Sequence, residues 1–300
     1  MDEPKKNRPH KAGFVNIIGN PNVGKSTLMN ALVGERLSII TAKAQTTRHR
    51  ILGIVNGEDY QICFNDTPGI IKPAYALQES MMDFVDTALE DADILLYLVE
   101  LGETTLKDER FFAKITRAPF PVLLLINKID LGDQQKLIEQ VELWKAKVPN
   151  AEIFPISAKE KFGAQEVLNR ILELLPEAPP FFPKDSLTDK SERFFVNETI
   201  REKILIHYKK EVPYSVEVET ESFKETQDMI HIHSVIMVER ESQKGIIIGH
   251  KGKGLRRIGT EARKDLEVFF NKKIFLKLFV KVNKDWRKND RQLRRFGYKP

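Results

Sequence analysis

The sequence predicts two domains in tandem: an α/β domain whose mixed, mainly parallel sheet carries helices on both faces, and a smaller α+β domain after it. Three observations carry this expectation. Strand-like and helix-like runs alternate between residues 14 and 175, as they do when parallel strands are joined by crossover helices. A glycine-rich stretch, Gly19-Asn20-Pro21-Asn22-Val23-Gly24-Lys25-Ser26-Thr27, lies between the first strand and the first helix, where free backbone amides can meet phosphate. Pro176, Pro179, Pro180 and Pro183 then interrupt the alternation, and the order of elements changes beyond them. The boundary is expected there, dividing the chain into residues 1–180 and 181–300.

In the first domain the apolar run 14–18 has strand length, and Leu28, Ala31 and Leu32 have helical spacing. Strands are expected at 51–55, 60–65, 92–99, 122–126 and 153–156, and helices at 77–89, 107–115, 134–147 and 164–175. Trp144 shares a helical face with Val141 and Val148 and reads as core. Ligands of such a sheet sit at the carboxyl ends of its strands. The second domain reads as a helix at 192–210, strands at 214–221 and 229–238, helices at 243–248 and 253–270, a strand at 273–282 and a basic tail.

The formal net charge of +5 is unevenly placed: residues 1–180 carry 21 basic and 25 acidic side chains, and residues 181–300 carry 27 and 18. Residues 251–300 alone hold 17 basic and 5 acidic groups, so a polyanion is expected to meet the C-terminal end. Nucleic acid and an anionic membrane both fit that charge. The single cysteine, Cys63, excludes an internal disulfide and a Cys-based zinc site, and its apolar run makes it a core residue of a reducing compartment. Residues 1–11 are polar and basic with no apolar run after them, so no secretory leader is expected. The longest apolar runs are too short to span a bilayer.

The glycine-rich stretch supplies more than a turn. Gly19 and Gly24 let the backbone wrap a diphosphate, Lys25 places a point charge near the β and γ phosphates, and Ser26 offers a hydroxyl to Mg²⁺. Asp66-Thr67-Pro68-Gly69 ends the third strand. Its carboxylate can hold Mg²⁺, and the Gly69 amide can meet a γ-phosphate with no Cβ in the way. Asn127-Lys128-Ile129-Asp130 ends the fifth strand, and the two acceptors of Asp130 match the N1 and N2 donors of guanine while repelling adenine N1. That favours GTP over ATP. Asn127 can brace the loop or the base edge, the Lys128 stem can lie over the purine, and Ser157-Ala158-Lys159 can offer an amide to guanine O6. Gln45-Thr46-Thr47-Arg48-His49 lies in a polar connection where a threonine can reach Mg²⁺ and γ-phosphate. Thr47 is favoured over Thr46, though sequence hardly separates them.

Together these five motifs resemble those of translation-factor-related, Ras-like GTPases. The Asn20-Pro21-Asn22-Val23-Gly24-Lys25-Ser26 form with Thr46-Thr47-Arg48 is similar to the TrmE–Era–EngA branch. Signalling members place a water-orienting glutamine where this chain has Ile70, and an isoleucine can neither position nor polarise water. The resemblance implies that another group does so, with Asn22 as a candidate K⁺ ligand. It also implies GTP and GDP as ligands with Mg²⁺ held by Ser26, Thr47 and Asp66, and catalysis by Asn22, Lys25, Thr47 and Gly69. Without a dedicated water-positioning group, intrinsic hydrolysis of order 10⁻⁴ to 10⁻³ s⁻¹ corresponds to a barrier of roughly 22 kcal/mol.

The second domain carries Gly249-His250-Lys251-Gly252 between two predicted helices, with Lys253, Arg256 and Arg257 beside it. This is the GXXG arrangement of a K-homology domain, in which glycines let a nucleic-acid backbone approach and basic residues meet its phosphates. The order of elements is similar to the type II topology. In the tail, Trp286, Leu293 and Phe296 form a thin apolar stripe, so the segment is a short helix docked by one edge or an arm that orders on RNA. His231 and His233 share a strand face but have no evident third ligand, and read as surface or half-buried residues.

The G-domain and K-homology motifs, with a similar tail, resemble the Era family over nearly the whole chain. That resemblance implies a monomeric, cytoplasmic GTP switch that binds 16S ribosomal RNA near its 3′ end in assembly of the 30S subunit. It leaves open peripheral association with the cytoplasmic face of the inner membrane. Two other readings stand beside it: a membrane-associated signalling GTPase linked to cell cycle or metabolism, and an RNA-binding protein whose nucleotide site is structural.

Overall fold

The structure, a computed structural model, describes residues 9–299. The expectation about a leader concerns residues 1–8 in part, which lie outside the described residues. The chain separates into two compact units, each treated by itself below. The first comprises Met1–Ser38, Thr47–Pro73 and Met81–Asp189, and the second Ile39–Thr46, Ala74–Ser80 and Lys190–Pro300.

The first unit is built on six strands, β1 (Lys11–Gly19), β2 (Ile51–Asn56), β3 (Tyr60–Asp66), β4 (Ile94–Glu100), β5 (Val122–Asn127) and β6 (Ala151–Pro155), in the spatial order β2-β3-β1-β4-β5-β6. All neighbours are parallel except β2, a hairpin partner of β3. The central strands are buried along nearly their whole length, which is why they read as continuous apolar runs rather than alternating ones. Helices α1 (Lys25–Val33), α2 (Ala76–Glu90), α3 (Glu109–Thr116) and α4 (Gln134–Lys147) connect them, and α5 (Ala164–Leu174) follows β6. Trp144 of α4 is fully buried, edge-on to Tyr97 of β4 at 5.5 Å. Cys63 packs with Leu52 and Ile54, and burial pushes its thiol up to about 12, so it is an inert core residue.

The proline-bearing stretch, expected as a stiffened connection, is held along the first unit. The Phe181 and Phe182 amides both donate to Gln61 Oε1 at 2.7 and 2.9 Å, Phe181 stacks on Phe14, and the Ile54 amide donates to the Leu187 carbonyl. Prolines lack a donor, but the amides between and after them find partners on the first unit, so the chain clusters with that unit up to Asp189.

In the second unit, α6 (Glu192–His207), α7 (Glu241–Ile248) and α8 (Lys253–Phe270) lie on one face of a sheet ordered β7 (Glu217–Glu225), β8 (Met229–Val238), β9 (Lys273–Val282). β7 runs antiparallel to β8, and β9 parallel to it. Ile258, Ala262 and Leu266 form one buried stripe of α8, packed in a core with Val196, Ile200 and Ile204 of α6 and Ile232 and Ile236 of β8. The expected strand start at 214 is instead a 3₁₀ turn, Val212–Tyr214, whose Pro213 cannot donate to a ladder. The tail is a docked helix, α9 (Asp290–Arg295). Trp286, Leu293 and Tyr298 are all buried, and the Trp286 indole donates to the Ser215 carbonyl at 2.9 Å.

Candidate functional site

The motifs gather where the parallel strands end. Gly19, Asp66 and Asn127 are the last residues of β1, β3 and β5, so the topology alone brings three distant stretches to one edge of the sheet. Gly24 caps α1 with φ +104°, and a Cβ there would lie 2.3 Å from Asn127 Nδ2. Asn22, exposed at the loop tip, also has a left-handed backbone, φ +66°. Lys25 is buried, and its ammonium donates to the Gly19 and Asn20 carbonyls at 3.2 and 2.9 Å. Burial pushes its pKa down to about 8, against the pull of Asp66 and Glu103.

Three side chains expected around a metal converge. Ser26 Oγ donates to Asp66 Oδ2 at 2.6 Å and lies 2.9 Å from Thr47 Oγ1, which is 3.4 Å from the same carboxylate oxygen. Burial raises the Asp66 pKa, opposed by the Ser26 hydrogen bond and by Lys25. The other oxygen, Asp66 Oδ1, is buried with no hydrogen-bond partner among the described residues. Thr46 is placed elsewhere: its hydroxyl lies 2.6 Å from Thr41 Oγ1 and donates to the Lys43 carbonyl. Gly69 comes so close to the phosphate loop that a Cβ would sit 2.7 Å from Pro21 Cα, and the next amide, Ile70, donates to the Gly19 carbonyl. Thr67 donates to the Ile17 carbonyl at 2.7 Å, and Ile70 is fully buried.

The third and fourth motifs meet beside Gly24. Asn127 donates to the Val23 carbonyl at 2.7 Å and accepts from the Ala158 amide at 2.9 Å, so it ties the two flanking loops together rather than facing solvent. Asp130 is exposed, with one oxygen accepting from Ser157 at 2.6 Å. Lys128, φ +64°, is paired with Glu100 at 2.7 Å, and exposed Lys159 lies 3.4 Å from Glu160.

In the second unit the GXXG segment closes α7 and opens α8. Gly249 and Gly252 have φ of +68° and +75°, and Lys251 between them +50°. His250, Lys251, Lys253, Arg256 and Arg257 are exposed, and among the described residues only Arg257 is drawn to a carboxylate, Glu261 at 3.6 Å. The following Gly254 is required as well, since a Cβ would meet the Ile247 carbonyl at 2.7 Å. A groove of about 400 Å³ runs from Gly252 past Arg256 and Arg263 to Leu276 and Leu278 of β9. Basic walls over an apolar floor suit a single strand with its bases inward.

Residues 14–128 match a family described as 50S ribosome-binding GTPase, and residues 211–287 match the KH domain family. The GTPase Era of Geotalea uraniireducens is 46% identical over 290 residues, 96% of this chain and 98% of that protein. This chain belongs to the Era family of GTPases. The GTPase Era of Syntrophus aciditrophicus is 47% identical, covering 96% of this chain and 95% of its own. Among solved structures, Era in complex with MgGDPNP and nucleotides 1506–1542 of 16S ribosomal RNA has a TM-score of 0.92 at 40% identity. It covers 97% of this chain and 100% of that one. Era of Aquifex aeolicus bound to GDP·AlF₄⁻ matches equally, at 0.92 and 40%.

Within this Era-family chain one contributor escaped the sequence reading. Glu103 accepts from the Asn20 side chain, which also donates to the Thr105 carbonyl at 3.0 Å and accepts from the Lys107 amide. It anchors the phosphate loop from the connection after β4, and burial raises its pKa. No motif marks it in sequence. Among the described residues no cluster of three or more His, Cys, Asp or Glu could hold a metal. No helix among them is long and apolar enough to cross a membrane.

Proposed function

We propose that this Era-family GTPase binds GTP and GDP with Mg²⁺ in its first unit, and small-subunit ribosomal RNA near the 3′ end through the K-homology unit. It would act on the 30S subunit during assembly. The observation that carries this reading is the convergence of Ser26, Thr47 and Asp66, with Asp66 Oδ1 buried and unbonded among the described residues. Hard oxygen donors around a buried carboxylate suit Mg²⁺, and an orphaned anionic oxygen is costly without a cation. Ser26, Thr47 and Asp66 would hold the ion, which when bound neutralises charge on the β and γ phosphates.

The remaining chemistry belongs to the chain. The amides of the Gly19–Thr27 loop cradle the phosphates, and Lys25 exchanges its two carbonyl partners for phosphate oxygens. The Gly69 amide meets the γ-phosphate, and Thr47 signals its presence by ordering the loop around it. Asp130 reads guanine, with Lys128 along the purine and the Ala158 amide at O6. Water activation does not come from buried Ile70. The exposed Asn22 oxygen, as a K⁺ ligand, is the proposed substitute, and exchange of K⁺ for Na⁺ should slow hydrolysis if so.

The test is GTP hydrolysis by the purified chain alone, with an RNA carrying the 3′ end of small-subunit ribosomal RNA, and with anionic phospholipid vesicles. RNA should bind and accelerate turnover while vesicles do neither. Binding and stimulation by vesicles alone would favour the membrane-signalling reading, and a chain inert toward GTP in every arm would leave the nucleotide site merely structural.

A further inference from the structure

The connection between β4 and α3 carries none of the five motifs, yet it is bonded to both halves of the nucleotide site. Toward the phosphate loop it directs three groups at one side chain. Asn20, only 6% exposed, donates to Glu103 Oε1 and to the Thr105 carbonyl at 3.0 Å, and accepts from the Lys107 amide at 3.0 Å. Toward the base loop, the Leu101 amide donates to the Asn127 carbonyl at 2.9 Å, and Glu100 at the end of β4 pairs with Lys128.

The connection is in turn held from α4. Gln140 is 5% exposed on the same buried helical face as Trp144, where an apolar side chain would serve packing. Its Oε1 accepts from the Gly102 amide at 2.6 Å, and its Nε2 donates to the Glu103 and Glu100 carbonyls at 2.6 and 3.3 Å. Glu103 closes the turn from inside, its second carboxylate oxygen accepting from the Glu100 amide at 3.1 Å. A polar side chain in this core thus satisfies the backbone of a turn that departs from any ladder, with Gly102 at φ +94°.

The phosphate loop needs such a frame because its backbone is held in sparsely populated conformations. Gly19, Asn22 and Gly24 have φ of +153°, +66° and +104°. The Gly19 and Val23 carbonyls are fixed by the Ile70 amide and by Asn127, and between those two points the loop is tied down through the Asn20 side chain. A loop already shaped for a diphosphate binds it without first being ordered, and one shape serves GDP, GTP and the transition state alike. We propose that Glu103 and Gln140 are positioning residues that brace the phosphate and base loops together. They set how long a guanine nucleotide stays bound rather than how fast bound GTP is cleaved. The proposal rests on the nucleotide site described above and adds two residues that no motif marks.

The full-length protein is loaded with fluorescent GDP and chased with excess unlabelled GDP, and cleavage of bound GTP is followed in a single turnover. Glu103→Ala removes two acceptors, and Gln140→Leu removes three hydrogen bonds at similar volume; each should speed GDP release by about tenfold or more and raise KM for GTP in proportion. The single-turnover rate of Gln140→Leu should stay within about twofold of the wild type. A third comparison does not depend on either variant folding well. Asn20→Asp sets a second carboxylate against Glu103 and should release GDP faster, and adding Glu103→Gln supplies a donor to that carboxylate and should recover part of the loss. A residue contributing to stability alone would give no such recovery. Unchanged release beside a lowered denaturation temperature, or no recovery in the double variant, would overturn the assignment. Slower single-turnover cleavage with unchanged release would place these residues in the chemistry and overturn it as well. If the wild-type protein retains no guanine nucleotide, the nucleotide-site reading itself fails and takes this assignment with it.

Discussion

Asn127 donates its side-chain amide to the Val23 carbonyl at 2.7 Å, which fastens the base-reading loop to the phosphate loop. The same side chain accepts from the Ala158 amide, so three of the sequence motifs hang on one buried asparagine. Asn127→Ala would leave a carbonyl and an amide without partners, at about 1 to 3 kcal/mol each. The expected outcome is a lower denaturation temperature together with weaker binding of both GTP and GDP, read by thermal melts and fluorescent-nucleotide titration. Weaker binding with unchanged stability would mean that Asn127 acts on the base and not on the loops.

Asp130 should behave in the opposite way. Its carboxylate is exposed, and Asn at this position still presents one oxygen to Ser157. Asp130→Asn should therefore spare stability while exchanging an acceptor for a donor at the base edge. GTP affinity should fall by about 3 kcal/mol, roughly a hundredfold, with xanthosine triphosphate gaining. Competition between the two nucleotides measures the ratio.

Lys25 gives the nucleotide site a pH signature. Its folded pKa of about 8 lies below the ordinary 10.5, so the unfolded chain binds more protons between these values and the free protein gains stability as pH rises through that window. Nucleotide phosphate favours the ammonium, so binding should take up a proton near pH 8, and GTP affinity should drop about tenfold by pH 9. Calorimetry in buffers of different ionisation enthalpy detects the uptake. Affinity independent of pH between 7 and 9 would count against a buried, depressed Lys25.

At the GXXG loop, His250→Asp with Lys251→Asp puts two anions where phosphate is expected. RNA binding should disappear while GTP affinity stays within about twofold. Wild-type affinity should fall with salt at a slope of about −0.7 per phosphate neutralised. A flat salt dependence would remove the electrostatic basis of this surface.

Much of this was legible because the decisive residues are local. Gly19, Gly24, Lys25 and Ser26 belong to one loop, and the runs that became β1, β4 and β5 are apolar on both faces, as buried parallel strands must be. What was not legible depends on contacts between distant positions. Thr46 and Thr47 are equivalent as letters, and only the fold sends Thr47 to Ser26 and Thr46 back to Thr41. Glu103 lies in an ordinary polar turn until β1 and β4 become neighbours and bring Asn20 to it. The proline stretch reads as a stiffened boundary because proline is a local property, whereas the glutamine that holds it, Gln61, is about 120 residues away. Tyr298 gave no periodic clue in so short a tail, yet it is buried with its hydroxyl on Glu217.

Ordering of the loop around Thr47 by a γ-phosphate is expected to link nucleotide state to RNA affinity. Thr47 belongs to the first unit and the segment just before it, Ile39–Thr46, clusters with the second. A coupling of about 1 to 3 kcal/mol would make RNA bind roughly 5 to 150 times more tightly with a non-hydrolysable GTP analogue than with GDP. By linkage, RNA must improve the preference for the analogue over GDP by the same factor. Titrating one RNA from the 3′ end of small-subunit ribosomal RNA into both nucleotide states by calorimetry is the direct measurement. A difference of at least about fivefold with matching reciprocity is expected, and equal RNA affinity in the two states would contradict the linkage.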